Sequence, residues 1–109
     1  MTSRLTYVEA SAAVGAAHRR AGTGSAERTA STRLLDQLWD SVDVIEFDSS
    51  LMREAAEAAA RHALRGYDAV HCASAMRVAS DALVAVAGDH ALLSAWAREG
   101  IAVVDTNVP

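Results

Sequence analysis

Residues 83–104 read LVAVAGDHALLSAWAREGIAVV, and this stretch decides the fold class. Its first five residues form a short apolar run rich in valine, which suits a strand. Asp89 follows at once, an N-cap residue type opening a helix that ends at Gly100. Residues 101–104 are a second apolar run and read as the last strand. Strand, helix and strand in that order predict parallel strands covered by helices, an α/β layer architecture.

The pattern continues toward the N-terminus. LRGYDAVHCASA, residues 64–75, opens a helix at Asp68 that runs to about residue 80 after an interruption at Gly66. Residues 42–47, VDVIEF, alternate and carry β-branched side chains, so they read as a strand, and Asp48 or Ser49 then caps a helix through about residue 62. A helix over 25–39 follows an AGTGS turn. Residues 5–20 place Leu5, Val8, Ala12 and Ala16 on one stripe and end at Gly22 with Arg19 and Arg20 in the last turn, where cations suit the dipole. Three strands are expected, a thin sheet for this much helix.

The 109 residues suit one domain, 1–109, and the 51% hydrophobic and 22% charged composition is that of a globular chain. A net charge of -4 gives no general attraction to polyanions. All ten basic residues are arginine, which excludes a lysine-dependent phosphate loop or Schiff base. The single Cys72 cannot form an intrachain disulfide, which fits a reducing, cytoplasmic setting. No run approaches the ~20 apolar residues of a membrane span. Four arginines (19, 20, 28 and 33) against Glu27 make residues 18–33 locally basic, read either as a solvated face or as a phosphate contact.

Three acids stand in or before the first turn of a helix: Glu9, Asp68 and Asp89. Each can be a cap or a ligand. Thr6-x-x-Glu9 fits a capping box, yet Glu9 lies on the apolar stripe and is expected to face protein. Asp68 and Asp89 are ordinary N-cap types, but Asp89 also follows a strand at the carboxyl edge where parallel sheets bind ligands. Carboxylates gathered together repel unless a divalent cation or a raised pKa relieves them, and hard cations take such oxygen ligands. His71 and Cys72 read as core packing, since no zinc-spaced set accompanies them.

Together, SRLTYVEASAAV at 3–14, LRGYDAVHCASA at 64–75 and GDHALLSAWAREGIAVVD at 88–105 resemble the PIN-domain ribonucleases, especially VapC-type toxins of toxin-antitoxin pairs. The resemblance implies a parallel sheet with helices on both faces and an endoribonuclease dependent on Mg²⁺ or Mn²⁺. It implies that Glu9, Asp68 and Asp89 hold the metal and are catalytic, with a metal-activated water hydrolysing an RNA phosphodiester. It also implies a cognate antitoxin and a homodimer as partners. The family opens with a central strand whose Asp is the first metal-site carboxylate, and no residue before Met1 supplies it. The resulting expectation is a PIN-like domain lacking its N-terminal central strand, weak in nuclease activity, or an inactive remnant that still binds an antitoxin or a partner protomer.

Overall fold

The computed structural model describes residues 1–109. The chain divides into two compact units, residues 1–45 and 46–109. Both are built from helices and parallel strands, the α/β class expected.

In the first unit, strand β1 (Thr2–Ser3) leads into helix α1 (Leu5–Ala21), then helix α2 (Ser25–Asp40) and strand β2 (Val44–Ile45). The two short strands run parallel, with Thr2 opposite Val44 and Ser3 opposite Ile45. β1 was not expected from the sequence, because two residues carry no readable alternation. α1 ends where Gly22 takes φ +65, the left-handed C-cap geometry that glycine adopts without steric penalty. Tyr7 fastens the helical pair: its ring meets Trp39 edge-on at 5.4 Å, and its hydroxyl donates to Asp36.

The capping box at Thr6 and Glu9 does not form. α1 already begins at Leu5, so Thr6 lies inside the first turn, and its hydroxyl pairs with that of Thr2 at 2.7 Å. Nor does the stripe bury Glu9, for no residue of α1 is buried and Glu9 is exposed.

In the second unit, helices α3 (Ser49–His62) and α4 (Gly66–Arg77) pack together, followed by strand β3 (Val84–Ala87), helix α5 (His90–Arg98) and strand β4 (Ala102–Asp105). β3 and β4 pair in parallel from Val84–Ala102 to Ala87–Asp105, joined by α5 as the sequence predicts. The residues of 42–47 outside β2, and the ends of the strands and helices, fall a few residues from their expected bounds, as fraying termini do.

The core of this unit is made of small side chains. Leu51, Ala55 and Ala58 of α3 are buried, as are Ala69, Cys72 and Ala73 of α4, and Trp96 with Leu92 and Leu93 of α5 supplies the bulk. Alanines let helix axes approach closely, and burial of each larger side chain contributes about 1.5–3 kcal/mol. Ser74 is buried without penalty because its hydroxyl donates to the Val70 carbonyl at 2.7 Å. The residues of β3 and β4 that share one face, Val84, Val86 and Val104, remain exposed, whereas Ala85 on the other face is buried.

Two devices fix the head and tail of α3. Asp48 accepts from the Leu51 amide at 2.8 Å, and both its oxygens accept from Arg77 Nη1, while Arg77 Nη2 reaches Glu54. The Leu51 amide first, then Arg77, hold the Asp48 carboxyl below the usual range. At the tail, Ala63 takes φ +53 and ψ +45 to cap the helix. Left-handed backbone costs a non-glycine residue about 1–2 kcal/mol. Replacing Ala63 with glycine adds only about 0.4–1 kcal/mol of unfolded-state entropy. Ala63→Gly is therefore expected to raise the urea midpoint, by about 0.5–1 kcal/mol of stability, with unchanged m-value.

Candidate acidic site

Asp89 stands where β3 gives way to α5. It caps α5, its Oδ1 accepting from the Leu92 amide at 3.0 Å, and it is half-buried. Gly88 before it has a specific reason to be glycine. A Cβ there would lie 2.9 Å from Thr106 Oγ1 and 3.1 Å from Asn107 Nδ2, so the C-terminal segment could not pass so close. That segment is tied in place as Asn107 Nδ2 donates to the Gly88 carbonyl at 2.9 Å and the Thr106 amide to the Ala87 carbonyl at 3.0 Å.

Asp105 joins Asp89 at this carboxyl edge, opposite Ala87 in the β3–β4 register, with Oδ1 accepting from the Asn107 amide at 2.8 Å. The sequence analysis did not single it out. Its signal was its place directly after the last apolar run, at the carboxyl end of β4.

Asp68 belongs to the same unit but does not cap α4. That helix starts two residues earlier, at Gly66, and Arg65 is its N-cap with no side-chain cap bond. A carboxylate within the first turn is still favoured by the helix dipole. The Asp68 side chain is only 19% exposed and lies 3.9 Å from Arg65 Nε, a long pair across a largely exposed arginine that adds little stability. Glu9 belongs to the first unit, on α1.

The donor types fit a hard cation, all carboxylate oxygens. Nevertheless, no group of three or more His, Cys, Asp or Glu side chains is placed to hold a metal ion. No chemical step is therefore derived through one.

A second polar cluster escaped the sequence analysis because its members are 37 and 38 residues apart. Glu99 Oε1 sits 2.7 Å from both Arg61 Nε and His62 Nε2, tying the end of α5 to the end of α3. The His62 side chain is 5% exposed, and its Nδ1 makes no hydrogen bond. Cys72 is buried as expected, and desolvation pushes its thiol up to about 11, so it stays protonated and acts as core packing.

With the geometry in hand, the chain was compared with known proteins. The model of the PIN domain matches residues 1–95. The chain belongs to the PIN-domain family. Among curated relatives, it is 36% identical over 92 residues to Ribonuclease VapC45 of Mycobacterium tuberculosis strain CDC 1551 / Oshkosh. Ribonuclease VapC49 of strain ATCC 25618 / H37Rv matches to the same degree. Each alignment covers 84% of this PIN-domain chain and 64% of the relative. No solved structure gives a significant match. No helix is long and apolar enough to cross a membrane.

The hydrogen bond from His62, then that from Arg61, holds the Glu99 carboxyl below its ordinary value of 4.5. A depressed folded-state pKa means the unfolded chain binds the proton more readily. The stabilisation is present above pH 4.5 and is lost as pH falls through the lower folded value. In urea melts from about pH 6 to about pH 3, the native protein is expected to lose stability toward acid, and Glu99→Gln to show a shallower loss. Identical slopes would mean the cluster does not couple to folding.

Proposed function

We propose that this PIN-domain chain is a toxin endoribonuclease that hydrolyses RNA phosphodiester bonds with the help of Mg²⁺ or Mn²⁺. The observation that carries the reading is the match to the PIN-domain model over residues 1–95, supported by the similarity to two ribonucleases named VapC. Asp68, Asp89 and Glu9 are the residues we assign to the cation and to catalysis. When bound, a divalent cation supplies a water of lowered pKa and neutralises charge on the phosphodiester. The protein's own part is to hold the acids still: Asp89 through its cap on α5 and the tethered Gly88 turn, Asp68 through the first turn of a helix whose next residues are core. Asp105, on the same carboxyl edge as Asp89, is a further candidate.

The partners follow from the same reading: RNA as substrate, a cognate antitoxin protein, a second copy of the chain as a homodimer, and a cytoplasmic location. Surface chemistry favours a protein partner. Leu34 and Leu38, one turn apart on α2, are each 57% exposed, an apolar pair that water does not stabilise. That observation equally supports the second reading, a non-cleaving PIN domain that occupies an antitoxin or a protomer.

Asp68→Asn distinguishes the two. It keeps the size and helix position of the side chain while removing its charge, so the thermal melt is expected to shift little. Metal-stimulated cleavage of a labelled RNA is expected to fall by at least ~100-fold. Undiminished cleavage would remove Asp68 from the site, and no cleavage by the unaltered protein with either cation would leave the binding reading.

A further inference from the structure

A cleft of about 110 Å³ lies between α1 and α2, lined by none of the acids assigned above. Ser11, Val14 and His18 of α1 line it, spaced along one stripe, and Arg28, Thr32 and Leu35 of α2 face them from another. Pockets that enclose whole small molecules measure ~300–1,000 Å³. This one takes a single small group.

Its chemistry is that of an anion site. The His18 ring is held before any ligand arrives, Nδ1 against the Thr23 hydroxyl and Nε2 2.9 Å from the Ser31 hydroxyl. Two further hydroxyls line the space: Ser11, which is bonded to Tyr7, and Thr32, which can donate to a ligand. Arg28 brings a full charge that no ion pair consumes, for the ion-paired arginines near acids lie elsewhere, at Arg61, Arg65 and Arg77. Its place is also unusual. Arg28 stands at the end of the first turn of α2, where the helix dipole disfavours a cation, and an anion in the cleft would offset that cost. The acids nearby are otherwise placed: Asp36 accepts from Tyr7, and Glu27 lies against Gly24 at the head of α2. Arg28 is the one arginine that lines the cleft, and it stands in a segment, residues 18–33, that carries four arginines and one glutamate in a chain whose net charge is -4.

We propose that this cleft binds a phosphate group. Resting on the ribonuclease reading, the group is a phosphodiester of the bound RNA strand. Arg28 supplies the charge, the Thr32 hydroxyl supplies direction, the His18 ring walls the cleft, and the apolar floor of Val14 and Leu35 excludes a larger head.

The test measures binding rather than cleavage, so it stands apart from the catalytic assignment. Inorganic phosphate is titrated into the full chain while the His18 ring and Arg28 Nε signals are followed by NMR. A labelled single-stranded RNA is then bound in EDTA across a salt series and read by fluorescence anisotropy. Phosphate is expected to shift both signals saturably. Arg28→Gln, at an exposed side chain without an ion pair, is expected to fold normally, to lose the phosphate shift at His18 and to bind RNA roughly fivefold more weakly at low salt. Its log–log salt slope should fall by about 0.7, the value of one single-strand phosphate. Arg53→Gln in the other unit should leave the His18 shift intact.

Phosphate shifts with an unchanged RNA slope in Arg28→Gln, or with no RNA binding at all, would overturn the RNA assignment and leave a free-phosphate site. Absence of any shift at His18 and Arg28 would overturn the cleft itself. Metal-dependent cleavage alongside that absence would leave the ribonuclease reading standing.

Discussion

The close packing of α3 on α4 is the constraint from which the rest of the second unit follows. Ala55 and Ala58 of α3 and Ala69, Cys72 and Ala73 of α4 are all buried in this packed pair, and side chains this small let two helices approach closely. Interiors are packed like organic crystals, and a surface made of alanine leaves little volume to redistribute. Asp48 and Arg77 pin one end of that pair, and the Arg61–His62–Glu99 cluster carries the restraint on to α5. α5 in turn packs against β3 and β4, the hydrogen-bonded pair whose carboxyl edge carries Asp89 and Asp105. The position of an acid at the sheet edge is thus inherited, link by link, from methyl groups in a helix interface.

Local signals in the sequence were sufficient wherever the structure is decided locally. The cap at Asp89, the cap at Asp48, the glycine stop at Gly22 and the strand–helix–strand order of residues 83–104 all depend on residues within a turn of one another. Where competing choices lie a few residues apart, the reading slipped. Asp68 looks like a cap by type, but Gly66 and Tyr67 are helical already, so the acid falls inside the first turn instead. Thr6 and Glu9 have capping-box spacing, yet a helix that begins at Leu5 leaves that box without an end to cap. The β1–β2 pair was illegible for a different reason, since two-residue strands are specified by their partner and not by their own pattern.

Long-range polar pairs form the other gap. Nothing in the order of residues announces that His62 meets Glu99, or that His18 is held by Thr23 and Ser31 while Arg28 faces it. Such pairs depend on how helices lie against each other. The basic run at 18–33, by contrast, was visible as composition, and the structure shows which of its four arginines, Arg28, lines a cleft.

The proposed function turns on whether Glu9, Asp68 and Asp89 take up a divalent cation. Paramagnetic broadening by Mn²⁺ reads this directly, because amide signals near the bound ion are lost at substoichiometric metal while others persist. Early loss of the Glu9, Gly66 to Asp68 and Gly88 to Asp89 amides is predicted, with competition by Mg²⁺ restoring them. Uniform broadening across the chain, or loss confined to residues far from these acids, would contradict it.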